Sequence, residues 1–462
     1  MKKKFLSIFA LIFCVALIFT GCATVSGVKD SEGKSIYFDE AVHFGGHIAQ
    51  IGDYVYYGNA YVATTDSGFK YKDASQVAYL TRIKNGETFT FGEDVKDVNK
   101  QHTSPNEIEK VNGAKLVGYE NQDMYALGSY LYFTSANVHK TNDMKNDYSQ
   151  ISLFRIKFDG DSLEEIATFK SDNQSKIELT KGSDNAYYFV AYAPSEDGHA
   201  IYSVKVGDSI GKVTTLVEEA TSVAIADVNS SEKNVIYTVE SEKEFSRTSV
   251  MAVDIVSGES TPLDSGVAGS TTKLIDREGD IVFYSYKNPE NNVEEVYYKE
   301  ITPTSTNFSP VNRFYNAKSI TNIEKAYNGF IFKTTSSEEG DGALVFKTLD
   351  GTKKLLRSST EAENVLFADD DYVYISTESS ISRISLVDYQ SQTIVSGLTM
   401  IAGMGGYADG YVYFYAQLGE LEKDDVAEDE EETEEEEKDE NYYMYRADMA
   451  GNIQLIGKTA KK

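Results

Sequence analysis

The chain has 462 residues, with 73 acidic against 44 basic side chains and a formal charge of −29. A surface of that sign repels phosphate backbones, which excludes nucleic acid as a partner. With 33 Tyr and 23 Phe but no Trp and two Cys, aromatic packing rather than disulfides must hold a core that a chain of this length can readily bury.

Lys2, Lys3 and Lys4 precede an apolar run from Phe5 to Phe19 that is broken only by Ser7. The run is too short to span a bilayer well and suits the core of an export signal. It ends in Phe19-Thr20-Gly21-Cys22, which resembles the lipobox of bacterial lipoproteins, with Phe19 where Leu is usual. The resemblance implies a signal over 1–21 and a diacylglycerol on the Cys22 thiol, which becomes the first mature residue. Cys14 would leave with the signal, so the mature chain has no other thiol. Residues 22–35 then read as a lipidated tether, flexible around Gly27, Asp30, Ser31 and Gly33. No second apolar run of ~20 residues follows, so the body is expected to be anchored by lipid to the extracytoplasmic face of the cell membrane.

From Ile36 to residue 462 one pattern recurs: an aromatic Y-x-Y strand, preceded by a short strand and followed by a hairpin. Its copies start at Tyr54, Tyr130, Tyr187, Val235, Ile281, Phe330, Tyr372 and Tyr411; after a first interval of 76 residues the spacing runs from 57 down to 39. Strand-type repeats of this length predict an all-β fold, a β-propeller of eight four-stranded blades, with seven as the alternative count. Asn85-Gly86, Asp159-Gly160, Asp350-Gly351 and Ala450-Gly451 mark tight turns between third and fourth strands. The bulky run Tyr54-Val55-Tyr56-Tyr57 fits a strand covered on both faces by neighbouring blades.

Tyr132-Phe133-Thr134-Ser135, followed by Phe154-Arg155-Ile156-Lys157-Phe158-Asp159-Gly160, resembles the YWTD-type propeller repeat of the low-density-lipoprotein-receptor family. Tyr374-Ile375-Ser376-Thr377 with Ser382-Arg383-Ile384-Ser385-Leu386, and Tyr445-Arg446-Ala447-Asp448, carry the same echo. The chain is similar in this respect to bacterial lipoproteins with receptor-like propellers.

Motifs for a nucleophile elbow, a zinc protease, a redox dithiol and a phosphate loop are absent from the sequence. Gly403-Met404-Gly405-Gly406 reads as a turn with a crowded backbone near the axis. Asp276, Glu324 and Asp369-Asp370-Asp371 are the carboxylates that a propeller enzyme would carry on its axial strands. The aspartate run otherwise reads as a solvated turn or a weak calcium site, although it lacks the spacing of a calcium loop. His43, His47, His102, His139 and His199 fall in the first three repeats without the spacing of a shared metal site. Residues 420–440 hold 15 acidic side chains and two lysines, an insertion expected to stay disordered; its sharper reading is a segment for cations or a basic partner.

The expected function is therefore non-enzymatic: a binding or scaffolding module for a protein or glycan, without cofactor, metal or catalytic residue. A propeller glycosidase or polysaccharide lyase and an envelope assembly factor are the alternatives. Antiparallel strands put the first–second and third–fourth turns on one face, and the second–third and inter-blade loops on the other. The long insertions belong to the second face, which is expected to bind, with Tyr61, Tyr71, Tyr148 and Tyr286 as exposed aromatics. The tether is expected to leave from that same face and to reach at most ~45 Å.

Overall fold

The computed structural model describes residues 28, 33–44, 48–52, 54–58, 60–61, 78–84, 87–90, 115–116, 123–137, 147–158, 162–172, 174–228, 230–240, 247–302, 308, 310, 312–337, 340–358, 364–369, 371–377, 379–397, 401–417 and 442–456. Among them every regular element is a β-strand. The strands form eight sheets, each with a run of four consecutive antiparallel strands. These blades span 48–90, 124–170, 176–220, 222–264, 271–315, 317–357, 364–396 and 401–455, and are numbered 1 to 8. Each Y-x-Y copy is the second strand of its blade, as the repeat predicts.

Alternation along these strands explains why they read as continuous apolar runs. In blade 5, Val282 and Tyr284 pack toward blade 4 with Ile236 and Val250, while Phe283 packs toward blade 6 with Phe330 and Phe332. Both faces are covered, so the middle of the strand is apolar, and the small polar residues that follow it, such as Ser285, Thr334 and Ser376, are buried as well. A fully buried ring such as Phe283 contributes roughly 2–3 kcal/mol. One such cluster lies between every pair of neighbouring blades around the ring.

The arginine of the hairpin motif has a structural task. Arg82, Arg155, Arg383 and Arg446 sit 4.3–4.4 Å above Tyr54, Tyr130, Tyr372 and Tyr411, the first tyrosine of the Y-x-Y strand beside them. Two of them also reach the next blade. Arg82 Nη1 donates to the Phe158 carbonyl at 2.9 Å, and Arg155 Nη1 to that of Gly207 at 2.7 Å.

Blades 8 and 1 close the ring. Tyr413, Tyr415, Met444 and Ile456 pack against Ile48, Val55 and Tyr57. Tyr57 Oη donates to the Ile456 carbonyl at 2.9 Å, and Tyr415 Oη to that of Gly58 at 3.0 Å. The short strand Ala60–Tyr61 leaves blade 1 to pair with Tyr442–Asp448 of blade 8. The glycine-rich segment lies here too, inside the inner strand Ile401–Ala408 and not in a turn. The expected crowding is the reason for it: a Cβ on Gly405 would meet the Tyr413 carbonyl at 1.6 Å, and one on Gly406 would meet Ile48 Cγ1 at 2.6 Å.

The N-terminal segment departs from expectation. Phe38–His43 is not part of blade 1; it pairs antiparallel with Met124–Gly128, the inner strand of blade 2, along its axial edge. It begins beside the turn of blade 2, where Tyr37 lies against Gly128 and Phe38 against Phe158. It ends at the opposite face, where Phe44 N–H donates to the Met124 carbonyl. Val28, expected within the free tether, is buried in the cluster between blades 1 and 2 and accepts a bond from Ile36 N–H. The chain therefore enters on the face of the tight turns, opposite to the face expected.

Removing a seam hydroxyl strands a buried carbonyl. Tyr57→Phe and Tyr415→Phe should each lower the unfolding free energy by about 1–2 kcal/mol, read as a lower urea midpoint at unchanged slope. Unchanged midpoints would mean that these bonds do not hold the seam.

Candidate functional site

The inner strands surround the axial channel: Ile48–Ile51, Met124–Gly128, Lys176–Lys181, Ser222–Ala224, Thr271–Glu278, Ala317–Ala326, Asn364–Ala368 and Ile401–Ala408. Those of blades 5 to 8 are bulged, between Leu274 and Asp276, Thr321 and Glu324, Val365 and Phe367, and Ile401 and Gly405. In blade 6 the bulge includes Asn322 at φ 52°, a conformation that asparagine tolerates better than most residues. A bulge re-aims the side chains beside it. Asp276 and Glu324, the two axial carboxylates singled out in the sequence, each stand directly after one.

Around them lie groups that the repeat did not point to. Asp123 of blade 2 and Glu178 of blade 3 join Asp276 and Glu278 of blade 5 and Glu324 of blade 6. Lys176 Nζ crosses from blade 3 to Asp276 Oδ1 at 3.1 Å and the Ile275 carbonyl at 3.2 Å. His43, the last residue of the axial strand, stacks on Tyr125 at 4.5 Å and places Nε2 3.3 Å from Asp123 Oδ1. All five carboxylates are half-buried.

Burial first, and crowding second, sets the protonation of Glu178, Glu278 and Glu324. Burial pushes the Glu178 carboxyl up to about 7; Lys176 opposes this, and the charges of Asp276 and Asp123 add to it. Burial likewise raises Glu324 to about 7 against the N–H of Ala368, with a contribution from Asp123 on the opposite side of the ring. Glu278 is raised well above the usual range by burial and by Asp276, Asp227 and Glu324. For His43, burial works against the imidazolium, but the hydrogen bond and charge of Asp123 outweigh it and the pKa rises. The arrangement can hold protons near neutral pH and can attract cationic groups. Among the described residues no three His, Cys, Asp or Glu are placed to hold one metal ion.

The other expected residues lie apart from the channel chemistry. Tyr286 sits at the loop-face end of its strand, half-buried and edge-on to Tyr297. The backbone of Tyr61 is paired with blade 8, and that of Tyr148 lies in the third strand of blade 2. Asp369 is a turn residue accepting from the N–H groups of Asp371 and Tyr372. His199 is bonded to Asp172 at 2.8 Å and stacked on Tyr192. Cys22, Tyr71, His47, His102, His139, Asp370 and the acidic run 420–440 lie outside the described residues.

No family model matches this chain, and no curated protein matches it. Among solved structures it is similar to a prolyl endopeptidase at 10% identity and TM-score 0.44, covering 82% of this chain and 52% of the other. It is also similar to the β-propeller domain of the trilobed protease from Pyrococcus furiosus, at 10% identity and TM-score 0.40, over 76% and 96%. A third likeness is to TolB from Acinetobacter baumannii, at 10% identity and TM-score 0.34, over 82% and 87%. The chain spans about half the length of the prolyl endopeptidase.

The raised carboxyls give stability a definite pH dependence. Folded Glu178 and Glu324 keep their protons up to about 7, whereas unfolded glutamate releases its proton near 4.5. The folded state thus binds more protons between those values, and stability falls as pH rises through that window. The raised pKa of His43 acts in the same direction. The melting temperature should drop between about pH 5 and pH 8, and Glu324→Gln should flatten the drop. A melting temperature that rises over this range would contradict the assignment.

Proposed function

We propose that this protein is a lipid-anchored, extracytoplasmic scaffold that binds a protein or glycan and carries out no reaction of its own. The observation that supports it most is the path of the N-terminal segment. The chain enters on the turn face, runs along the axial channel and reaches blade 1 from the loop face. An anchor at Cys22 then lies on the turn-face side, and the loop face, with its long insertions, looks away from the membrane. A face presented outward on a rigid ring is suited to binding.

The likeness to receptor-type repeats accords with such a role. An enzyme acting on polysaccharide is the second reading, because carboxyls raised to about 7, such as Glu178 and Glu324, could serve as general acids. Against it stands the occupied channel. The axial strand lies along its wall, Lys176 is paired with Asp276, and His43 with Asp123.

Cys22→Ala should leave the protein soluble or unprocessed in cell fractionation; a variant that fractionates and migrates as the natural protein does would refute the anchor. For the binding face, a photo-crosslinking residue at Tyr286 or Val293, on the loop face, should capture a protein or glycan partner in intact cells. One at Val256 or Val387, on the turn face, should not. Capture from the turn face alone would reverse the assignment.

A further inference from the structure

We infer that the turn face is a lipid-interface surface, resting in the headgroup region of the bilayer that holds the anchor. This rests on the anchored reading above and adds a second attachment to it. Nine large apolar or aromatic side chains are conspicuously exposed among the described residues, and six of them belong to this face. Tyr37, Tyr327 and Tyr407 stand by first–second turns near the axis, in blades 2, 6 and 8, at 58%, 49% and 42% exposure. Val213, Val256 and Val387 stand in third–fourth turns nearer the rim, in blades 3, 4 and 7. Of the remaining three, Val267 and Val293 are on the loop face and Leu355 on an outer strand.

Tyr327 is the most telling of these. It holds φ 53°, a left-handed conformation that is unfavourable for a bulky residue, at the tip of a turn where its ring meets solvent. Tyrosine is the residue type that membrane interfaces favour, with an apolar ring and a polar tip.

The path of the chain brings the surface to the membrane. Val28 is docked between blades 1 and 2, so only the residues from Cys22 to Gly27 lie between the lipid and the body. They span about 20 Å at full extension and less when coiled, which keeps the turn face within reach of the headgroups. Charge sets the lipid preference. Lys181, Lys205, Lys299 and Lys347 lie at the turn-face ends of their strands, each within 5.6 Å of an aromatic ring. Asp184, Asp254 and Asp350 stand among them in the turns and are held charged. A mixed surface of this kind favours zwitterionic over anionic headgroups.

The test supplies its own anchor, so that it does not depend on natural lipidation. The chain from Ala23 onward, which contains no cysteine, is attached through an N-terminal histidine tag to nickel-chelating lipid in phosphatidylcholine vesicles. Single cysteines replace Val256, Val387, Val267 or Val293 and are labelled with bimane, and nitroxide lipid quenches the label from the headgroup region. The turn-face labels should be quenched about threefold more than the loop-face labels. The combined variant Tyr37→Ser, Tyr327→Ser, Tyr407→Ser, folded by circular dichroism, should lose that difference, and adding phosphatidylglycerol should weaken it. Equal quenching on the two faces, or a difference that survives the triple variant, overturns the inference. Failure of the anchor itself would show separately, in the fractionation of Cys22→Ala.

Discussion

The ring has to close, and the closing interface has no chain running through it. Seven of the eight interfaces join blades that are consecutive in sequence. The eighth joins residues such as Tyr57 and Ile456, 399 positions apart. Bringing ends so distant together costs about 5 kcal/mol of loop entropy. The four main strands of each blade come from one stretch of chain, and the pairing that crosses the seam, Ala60–Tyr61 with Tyr442 and Tyr443, is too short to offset this cost alone. Side chains do: the aromatic and aliphatic cluster at the seam buries seven large residues, each contributing roughly 1.5–3 kcal/mol, and two tyrosine hydroxyls reach across it. Gly406 of blade 8 belongs to the same solution, since it leaves the space that Ile48 of blade 1 fills, while Gly405 lets its own strand approach the Tyr413 carbonyl within the blade.

Once the ring is closed, its axis is a ready-made place for charge, and this protein uses it in an unusual way. The bulges of blades 5 and 6 present Asp276 and Glu324, and the axial strand adds His43 at the mouth. Burial and the neighbouring carboxylates raise the pKa of Glu178, Glu278 and Glu324, and the ion pairs Lys176–Asp276 and His43–Asp123 offset part of the negative charge. The same strand decides the orientation of the molecule. Because it enters from the turn face, the side proposed to carry the anchor lies opposite the side that carries the insertions.

Much of this was legible in the sequence, for a physical reason. A blade's second strand is buried on both faces, so each of the eight copies had to be written as an apolar run, mostly aromatic, and the runs could be read directly. The two carboxylates after bulges could be named as acidic residues of inner strands, but Thr271–Glu278 and Ala317–Ala326 carry several other polar residues, and no signal in the sequence marked the bulges. The fifth strand of blade 2 was not legible. Phe38–His43 alternates no more clearly than a loop, with Asp39 and Glu40 exposed; its position depends on the free axial edge of Met124–Gly128, a partner some 80 residues away. The docking of Val28 was hidden for the same reason. A single valine among Gly, Ser, Lys and Asp carries no periodicity, and only the finished cluster between blades 1 and 2 gives it a place.

The orientation of the ring depends on the axial strand more than on any other element, and the register of that strand gives a direct measurement. Val42 lies opposite Ala126, and directly paired residues of neighbouring antiparallel strands are within reach of a disulfide. In the chain from Ala23 onward, Val42→Cys with Ala126→Cys should oxidise to an intramolecular bond in the folded protein, leaving no free thiol and raising the melting temperature. If both thiols stay free and reactive while the protein remains folded, the segment does not run along the channel, and the orientation argued from it is wrong.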